Sequence, residues 1–128
     1  MLALEKKTIE KRLKVVDMGT NYYIVKKKPT IAAPLHIGKS SCGWKFLFHE
    51  VNKRDCEFDE NLEIHTYEQW VEFLKDNDEI VILNEYDEIV SLDYLLELIK
   101  EKQSEENDEN FAYCKNVNGY RFSDREFS

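Results

Sequence analysis

Apolar residues recur along this chain with two different periods. Leu2, Ile9, Leu13 and Val16 fall near one side of a helical repeat with lysines around the rest, which predicts a helix over 2–16. Asp17-Met18-Gly19-Thr20 breaks it. Tyr22-Tyr23-Ile24-Val25 is aromatic and β-branched and predicts a strand, with the two tyrosines on opposite faces. Lys26-Lys27-Lys28-Pro29 ends that strand. Leu35–Ile37 predicts a second strand and Gly38-Lys39-Ser40-Ser41 a turn by composition. Residues 43–51 alternate, with Trp44, Phe46, Phe48 and Glu50 on one face, so 35–51 reads as a β-hairpin.

The second half mixes the two periods. Residues 52–64 are polar and predict a loop. Thr66 and Gln69 form a capping box before a helix that runs to about Asn77 and buries Trp70, Phe73 and Leu74. Ile80-Val81-Ile82-Leu83 predicts a buried strand, Asn84–Asp87 a turn, and Ile89-Val90 a short extended piece. Ser91 suits the N-cap of a helix over 92–103, with Leu92, Leu95, Leu96 and Ile99 as its stripe. Residues 104–110 predict an acidic loop. Phe111–Cys114 and Tyr120–Phe122 predict strands around Asn118-Gly119, a strong hairpin signal. The sum is a small α+β single domain over 18–128, mainly antiparallel β-sheet with two or three helices, preceded by a helical extension over 1–17.

Composition narrows the class. The chain has 128 residues, 42% hydrophobic and 34% charged, with four glycines and two prolines, which fits one folded domain rather than a disordered chain. No apolar run has membrane-spanning length, and the N-terminus lacks an apolar signal core, so a cytoplasmic protein is expected. Cys42, Cys56 and Cys114 are odd in number and widely spaced, which predicts free thiols. Residues 1–54 hold twelve Lys/Arg and four Asp/Glu, a charge of +8, whereas residues 55–128 hold six and twenty-two, a charge of −16. The net −8 disfavours direct nucleic-acid binding. The two halves either form separate faces or supply strands that pair with each other.

One stretch carries a chemical signature. Ala33-Pro34-Leu35-His36-Ile37-Gly38-Lys39-Ser40 fits the relaxed phosphate-loop pattern. A phosphate loop lies between a buried strand and a helix whose N-terminus holds the phosphate. Here a lysine-rich segment precedes the pattern and an alternating strand follows it, so nucleotide hydrolysis is not expected. Two readings stay open. Gly38 can turn N–H groups inward, with Lys39, Ser40 and Ser41 as donors, Trp44 to stack on a base and His36 alongside, which makes an anion or nucleotide site. Alternatively the segment is a plain hairpin turn with Trp44 in the core.

Other constellations are thinner. His36, Cys42, His49, Cys56 and His65 include metal-ligating types, but none forms the close pair of a structural zinc site, so no metal or other cofactor is expected. Cys42 in its basic setting is the one candidate nucleophile, with His36 the nearest imidazole in sequence. The acidic stretches, with Glu57, Asp59 and Glu60 in one and Glu105, Glu106, Asp108 and Glu109 in the other, are either solvated loops or a surface for a basic partner.

Several segments together resemble a family of small uncharacterised bacteriophage and prophage proteins. They are Gly19-Thr20-Asn21-Tyr22-Tyr23, Leu35–Ser41 with Gly43-Trp44, Asn84–Asp87 with Ser91, and Gly119–Ser123 with Glu126-Phe127-Ser128. Such relatives often begin near Met18, which sets residues 1–17 apart. Some carry a Cys-x-x-Cys where this chain has Lys26–Pro34 without cysteine, so no zinc role carries over. The resemblance implies a non-enzymatic accessory protein that binds and inhibits a host or anti-phage defence protein in the infected cell, in the manner of an anti-CRISPR protein. The alternatives are a nucleotide sequestrant using the Gly38–Ser41 segment as a homo-oligomer, and a small enzyme using Cys42 or His36.

Overall fold

The computed structural model describes residues 19–28, 32–53, 59–105, 114–125 and 127. The predicted helix over 2–16, the strand residues Phe111–Tyr113 and most of the acidic loop lie outside them. The elements are β1 (Thr20–Lys26), β2 (Leu35–Ser40), β3 (Leu47–His49), α1 (Tyr67–Asp76), β4 (Ile80–Asn84), β5 (Ile89–Val90), α2 (Leu92–Lys102), β6 (Cys114–Val117) and β7 (Tyr120–Ser123). The seven strands form one sheet in the order β5-β4-β1-β2-β3-β7-β6. Every neighbouring pair is antiparallel except β3 and β7. The described residues form a small α+β domain with two helices.

Strands from the basic and acidic halves pair directly, β1 with β4 and β3 with β7. Among the described residues the two halves therefore share one sheet.

The helices cover one face of the sheet. Trp70 and Leu74 of α1 and Leu95 and Ile99 of α2 meet Tyr22, Ile24, Leu35, Ile37, Phe48, Ile82 and Phe122 in a single core. Each large side chain buried there contributes about 1.5–3 kcal/mol by leaving water. Leu98 joins Leu92 against this core, where the sequence pattern had placed Leu96. The Trp70 indole N–H donates to the His49 carbonyl at 3.0 Å, so the one polar atom of that ring is satisfied.

The caps follow the sequence with one shift. Thr66 Oγ1 accepts from the Gln69 N–H at 3.1 Å, while Gln69 Oε1 accepts from the N–H of His65, one residue before the cap, at 2.7 Å. Ser91 Oγ caps α2 through the Tyr94 N–H. At the β6–β7 turn, Asn118 and Gly119 have φ of 52° and 91°, the left-handed pair that a two-residue hairpin requires.

The structure corrects the sequence at Gly38. It lies inside β2, not in a turn. The register of β1 against β2 slips between Tyr22 and Tyr23, leaving Ile37 as an extra residue in a β-bulge. Alternation resets there, so Leu35 and Ile37 point to the core and Gly38 faces inward opposite Tyr22. A Cβ at Gly38 would sit 2.3 Å from the Leu47 carbonyl oxygen and 2.4 Å from Phe46 Cε1. The glycine lets an aromatic ring and a neighbouring strand close over it. The turn comes later, over 41–44, with Trp44 N–H donating to Ser41 O at 3.3 Å and Gly43 at φ 79°.

Candidate functional site

The segment singled out in the sequence is divided by the sheet. His36 is buried on the face away from the helices, opposite Tyr23. Its ring stacks on Tyr23 at 5.0 Å and meets Phe127 at 4.6 Å and His49 at 5.6 Å. Burial, with His49 alongside, pushes His36 down to about 4, so the ring is neutral near pH 7. Its Nε2–H donates to Asn21 Oδ1 at 2.8 Å, a partner that settles its polar demand inside the fold. His36 is thus a satisfied interior histidine, and Gly38 is buried under Phe46.

Lys39, Ser40 and Ser41 are half-buried at the end of β2. Lys39 runs back over Gly19, with Nζ 3.1 Å from where a Cβ of Gly19 would lie and Ser41 Oγ 3.4 Å from the same point. From α2, Lys102 Nζ donates to the Ser41 carbonyl at 3.1 Å. Lys39 and Lys102 therefore both approach this end of β2. Trp44 is half-buried, with the Arg121 guanidinium 5.0 Å from its ring centre, so one face of the indole is covered by a cation. Arg121 also donates to the Lys45 carbonyl at 3.1 Å.

The remaining candidates scatter. Cys42 is an exposed free thiol in the turn, while Cys114 is buried, and Cys56 lies outside the described residues. His65 belongs to a different cluster, with Nδ1 2.5 Å from Glu50 Oε2. Among the described residues no group of three His, Cys, Asp or Glu could hold a metal ion. No helix of the described residues is long and apolar enough to cross a membrane.

Of the acidic residues singled out in the sequence, Asp59 and Glu60 are exposed in a tight turn that Asp59 closes through the Asn61 N–H at 2.9 Å. Glu105 is half-buried, and Glu57, Glu106, Asp108 and Glu109 lie outside the described residues. The acidic surface that the structure builds is elsewhere. Between Lys75 and Lys100 the chain carries eight carboxylates and no Lys or Arg. The centre of this stretch is the β4–β5 turn, where Glu85, Tyr86, Asp87 and Glu88 are all exposed.

That turn is held rigid by one side chain. Asn84 Oδ1 accepts from the N–H groups of Tyr86 at 2.9 Å and Glu88 at 3.0 Å, and Asn84 Nδ2 donates to Glu88 Oε1 at 2.9 Å. The Asp87 N–H donates to Asn84 O at 3.1 Å, and Asp87 takes a left-handed φ of 61°. This is a three-residue hairpin loop closed by a bulge. Asn21 N–H donates to Glu85 Oε1 at 2.9 Å, which ties the turn to β1.

Three exposed large hydrophobic side chains cluster in this part of the sequence, Tyr86 at 47%, Ile89 at 78% and Tyr94 at 49%. Tyr94 borders the turn through Tyr22, whose phenol is raised well above the ordinary tyrosine value by burial and then by Tyr94 and Glu85. Beside β5 lies an open groove of about 220 Å³ between the end of the sheet and the two helices. Leu74, Ile80, Ile82, Val90 and Leu92 line it, with Ile89 at its rim. The sequence pattern predicts Asn84–Asp87 only as a turn. Its missed signal was a tyrosine flanked by carboxylates at a turn tip, where nothing in the fold can bury it.

Compared with protein families, curated proteins and solved structures, the chain finds no match.

Proposed function

We propose that the protein acts by occupancy, docking on a basic partner protein through the acidic β4–β5 corner and obstructing that partner. The observation that supports this reading is the clamped turn. Asn84 fixes the backbone that presents Tyr86 among Glu85, Asp87 and Glu88, so little conformational entropy is lost on contact. An aromatic side chain among fixed carboxylates has the composition of a binding hot spot with a charged rim. The resemblance to small phage and prophage proteins supplies the setting, an infected cell in which the partner is a host or defence protein.

Affinity capture from the cells in which the protein acts tests the reading. The native chain is compared with a Tyr86→Ala, Asp87→Lys, Glu88→Lys variant. The expected result is a partner with a basic contact surface, released by raised salt and absent from the variant. Equal recovery by both proteins overturns it.

A second reading has one observation of its own, the approach of Lys39 and Lys102 to the same end of β2. It makes that corner a nucleotide-phosphate site. Native mass spectrometry of gently purified protein then shows a retained mass of nucleotide size, lost in Lys39→Ala; a bare chain in both proteins removes this reading.

A further inference from the structure

The corner has an open main-chain edge as well as a charged tip. β5 is the outermost strand on its side of the sheet. In an antiparallel ladder, successive residues turn their N–H and C=O groups alternately toward the partner strand and away from it. The Asn84 N–H donates to Glu88 O at 3.0 Å, so Glu88 faces β4. Val90, two residues on and opposite Ile82, faces β4 as well. Ile89 between them directs both its N–H and its C=O outward. Among the described residues neither group has a hydrogen-bond partner. The Ile89 side chain is also the most exposed large hydrophobic of the described chain, at 78%.

The apolar groove opens beside this edge, floored by Leu74 and Ile82 and walled by Val90 and Leu92. Asp87 and Glu88 make the turn end acidic, whereas the far end is mixed, with the exposed Asp76, Asp78 and Glu79 beside Ile80, which pairs with Lys26 of the exposed Lys26–Lys28 segment. The Lys27 N–H donates to Glu79 O at 2.8 Å, which fixes that segment at the far end of β4.

We infer that this corner is a recognition site for an extended segment of a partner protein. The segment adds to β5 by hydrogen bonds to Ile89, places one aliphatic side chain in the groove, and carries Lys or Arg at the end that meets Asp87 and Glu88. The inference rests on the proposed docking function and names the chemistry of its partner. Strand addition takes its affinity from main-chain hydrogen bonds and its specificity from alternate side chains. Here one alternate side chain enters the groove and the acidic turn end sets the direction. The two-residue length of β5 and the helix that follows it at Leu92 confine pairing to this one position, so the carboxylates and the groove supply most of the selectivity.

Selection from a library of random twelve-residue peptides against the full chain tests this. The enriched sequences are expected to share an aliphatic residue with Lys or Arg to one side. The best peptide, made synthetically, is expected to shift the Ile89 and Val90 amide signals in NMR spectra. Its affinity is expected to fall about tenfold or more with Leu92→Arg, which fills the groove, and with Ile89→Pro, which removes one outward N–H and no ladder bond. Lys53→Glu, at an exposed position in the turn beyond β3 and several strands from β5, is expected to leave it unchanged. Peptides that bind Leu92→Arg and Ile89→Pro as tightly as the native chain overturn the inference, and so does a selection that yields no related sequences. If binding is lost with Tyr86→Ala and Asp87→Lys but not with the groove variants, the docking function stands and strand addition does not. Binding indifferent to all four changes overturns both. Folding of each variant is checked by its melting curve, and Ile89→Pro remains decisive where Leu92→Arg does not fold.

Discussion

His65 Nδ1 lies 2.5 Å from Oε2 of Glu50, a carboxylate with only 3% of its side chain exposed. Lys115 Nζ holds the other oxygen at 2.7 Å, and Glu63 stands 3.3 Å from His65 Nε2. The cluster joins the end of β3, the segment before α1 and the edge strand β6. Burial alone would raise Glu50, but hydrogen bonds from Lys115 and His65 outweigh it and hold the carboxyl below its ordinary value of 4.5. The Glu50 hydrogen bond raises His65 above 6.5 against the opposing effect of burial, with Glu63 adding to the rise. The raised histidine stabilises the fold fully below 6.5 and loses that contribution as pH climbs through its folded value. The lowered carboxyl stabilises it above 4.5 and loses that contribution as pH falls through its folded value. Both contributions are complete between those two ordinary values. His36, held down to about 4 by burial, acts the other way and weakens the fold as pH falls below 6.5, so the His65 contribution is read from the variant: His65→Gln is expected to cost more stability at about pH 5.5 than at about pH 8.5, as thermal unfolding of both proteins across pH would show.

Gly38→Ala is expected to destabilise the fold by about 1–3 kcal/mol or more, because the new methyl meets a backbone carbonyl and a buried ring. Lys39→Ala, one residue on, is expected to change stability by about 0.5 kcal/mol or less. Urea unfolding midpoints separate the two. An activity lost in Gly38→Ala therefore reports on the sheet, whereas one lost in Lys39→Ala reports on the surface.

Asn84→Ala removes the acceptor of two turn N–H groups and is expected to cost about 1–2 kcal/mol. Asp87→Gly is expected to be neutral or slightly stabilising, since φ of 61° suits glycine, and Asp87→Val to be clearly destabilising. Denaturant titration of the three proteins checks this order. Asn84→Ala is also expected to weaken partner binding with Tyr86 intact, because the turn that presents it is no longer fixed.

Most of the elements were legible because their signals are local. Thr66, Ser91 and Asn118-Gly119 each mark a boundary through their own backbone chemistry, and α1 and the β6–β7 hairpin stand where those residues predict them. Gly38 was misread because a glycine beside Lys-Ser-Ser looks the same in a turn and under a packed ring. Only the bulge at Ile37 and the approach of Phe46 tell the two apart, and both depend on strands that meet across the sheet. The acidic loops drew attention through charge density alone. The corner around Tyr86 was overlooked because its meaning comes from Asn84 locking the turn and from β5 lying outermost, and neither is a property of composition. The parallel contact of β3 with β7 left no local trace at all.

That parallel contact bears on how the domain is made. β3 is complete early in the chain, but its partner β7 follows only after α1, β4, β5, α2 and β6. Phe48 stacks on Phe122 at 5.1 Å across this junction, so part of the central core waits for a partner that lies beyond five further elements of the chain. On the ribosome the outer edge of β3 stays open while the rest of the domain emerges. Closing so long a loop is slow compared with forming hairpins. Pairing of β3 with β7 thus acts as the late step that closes the native sheet.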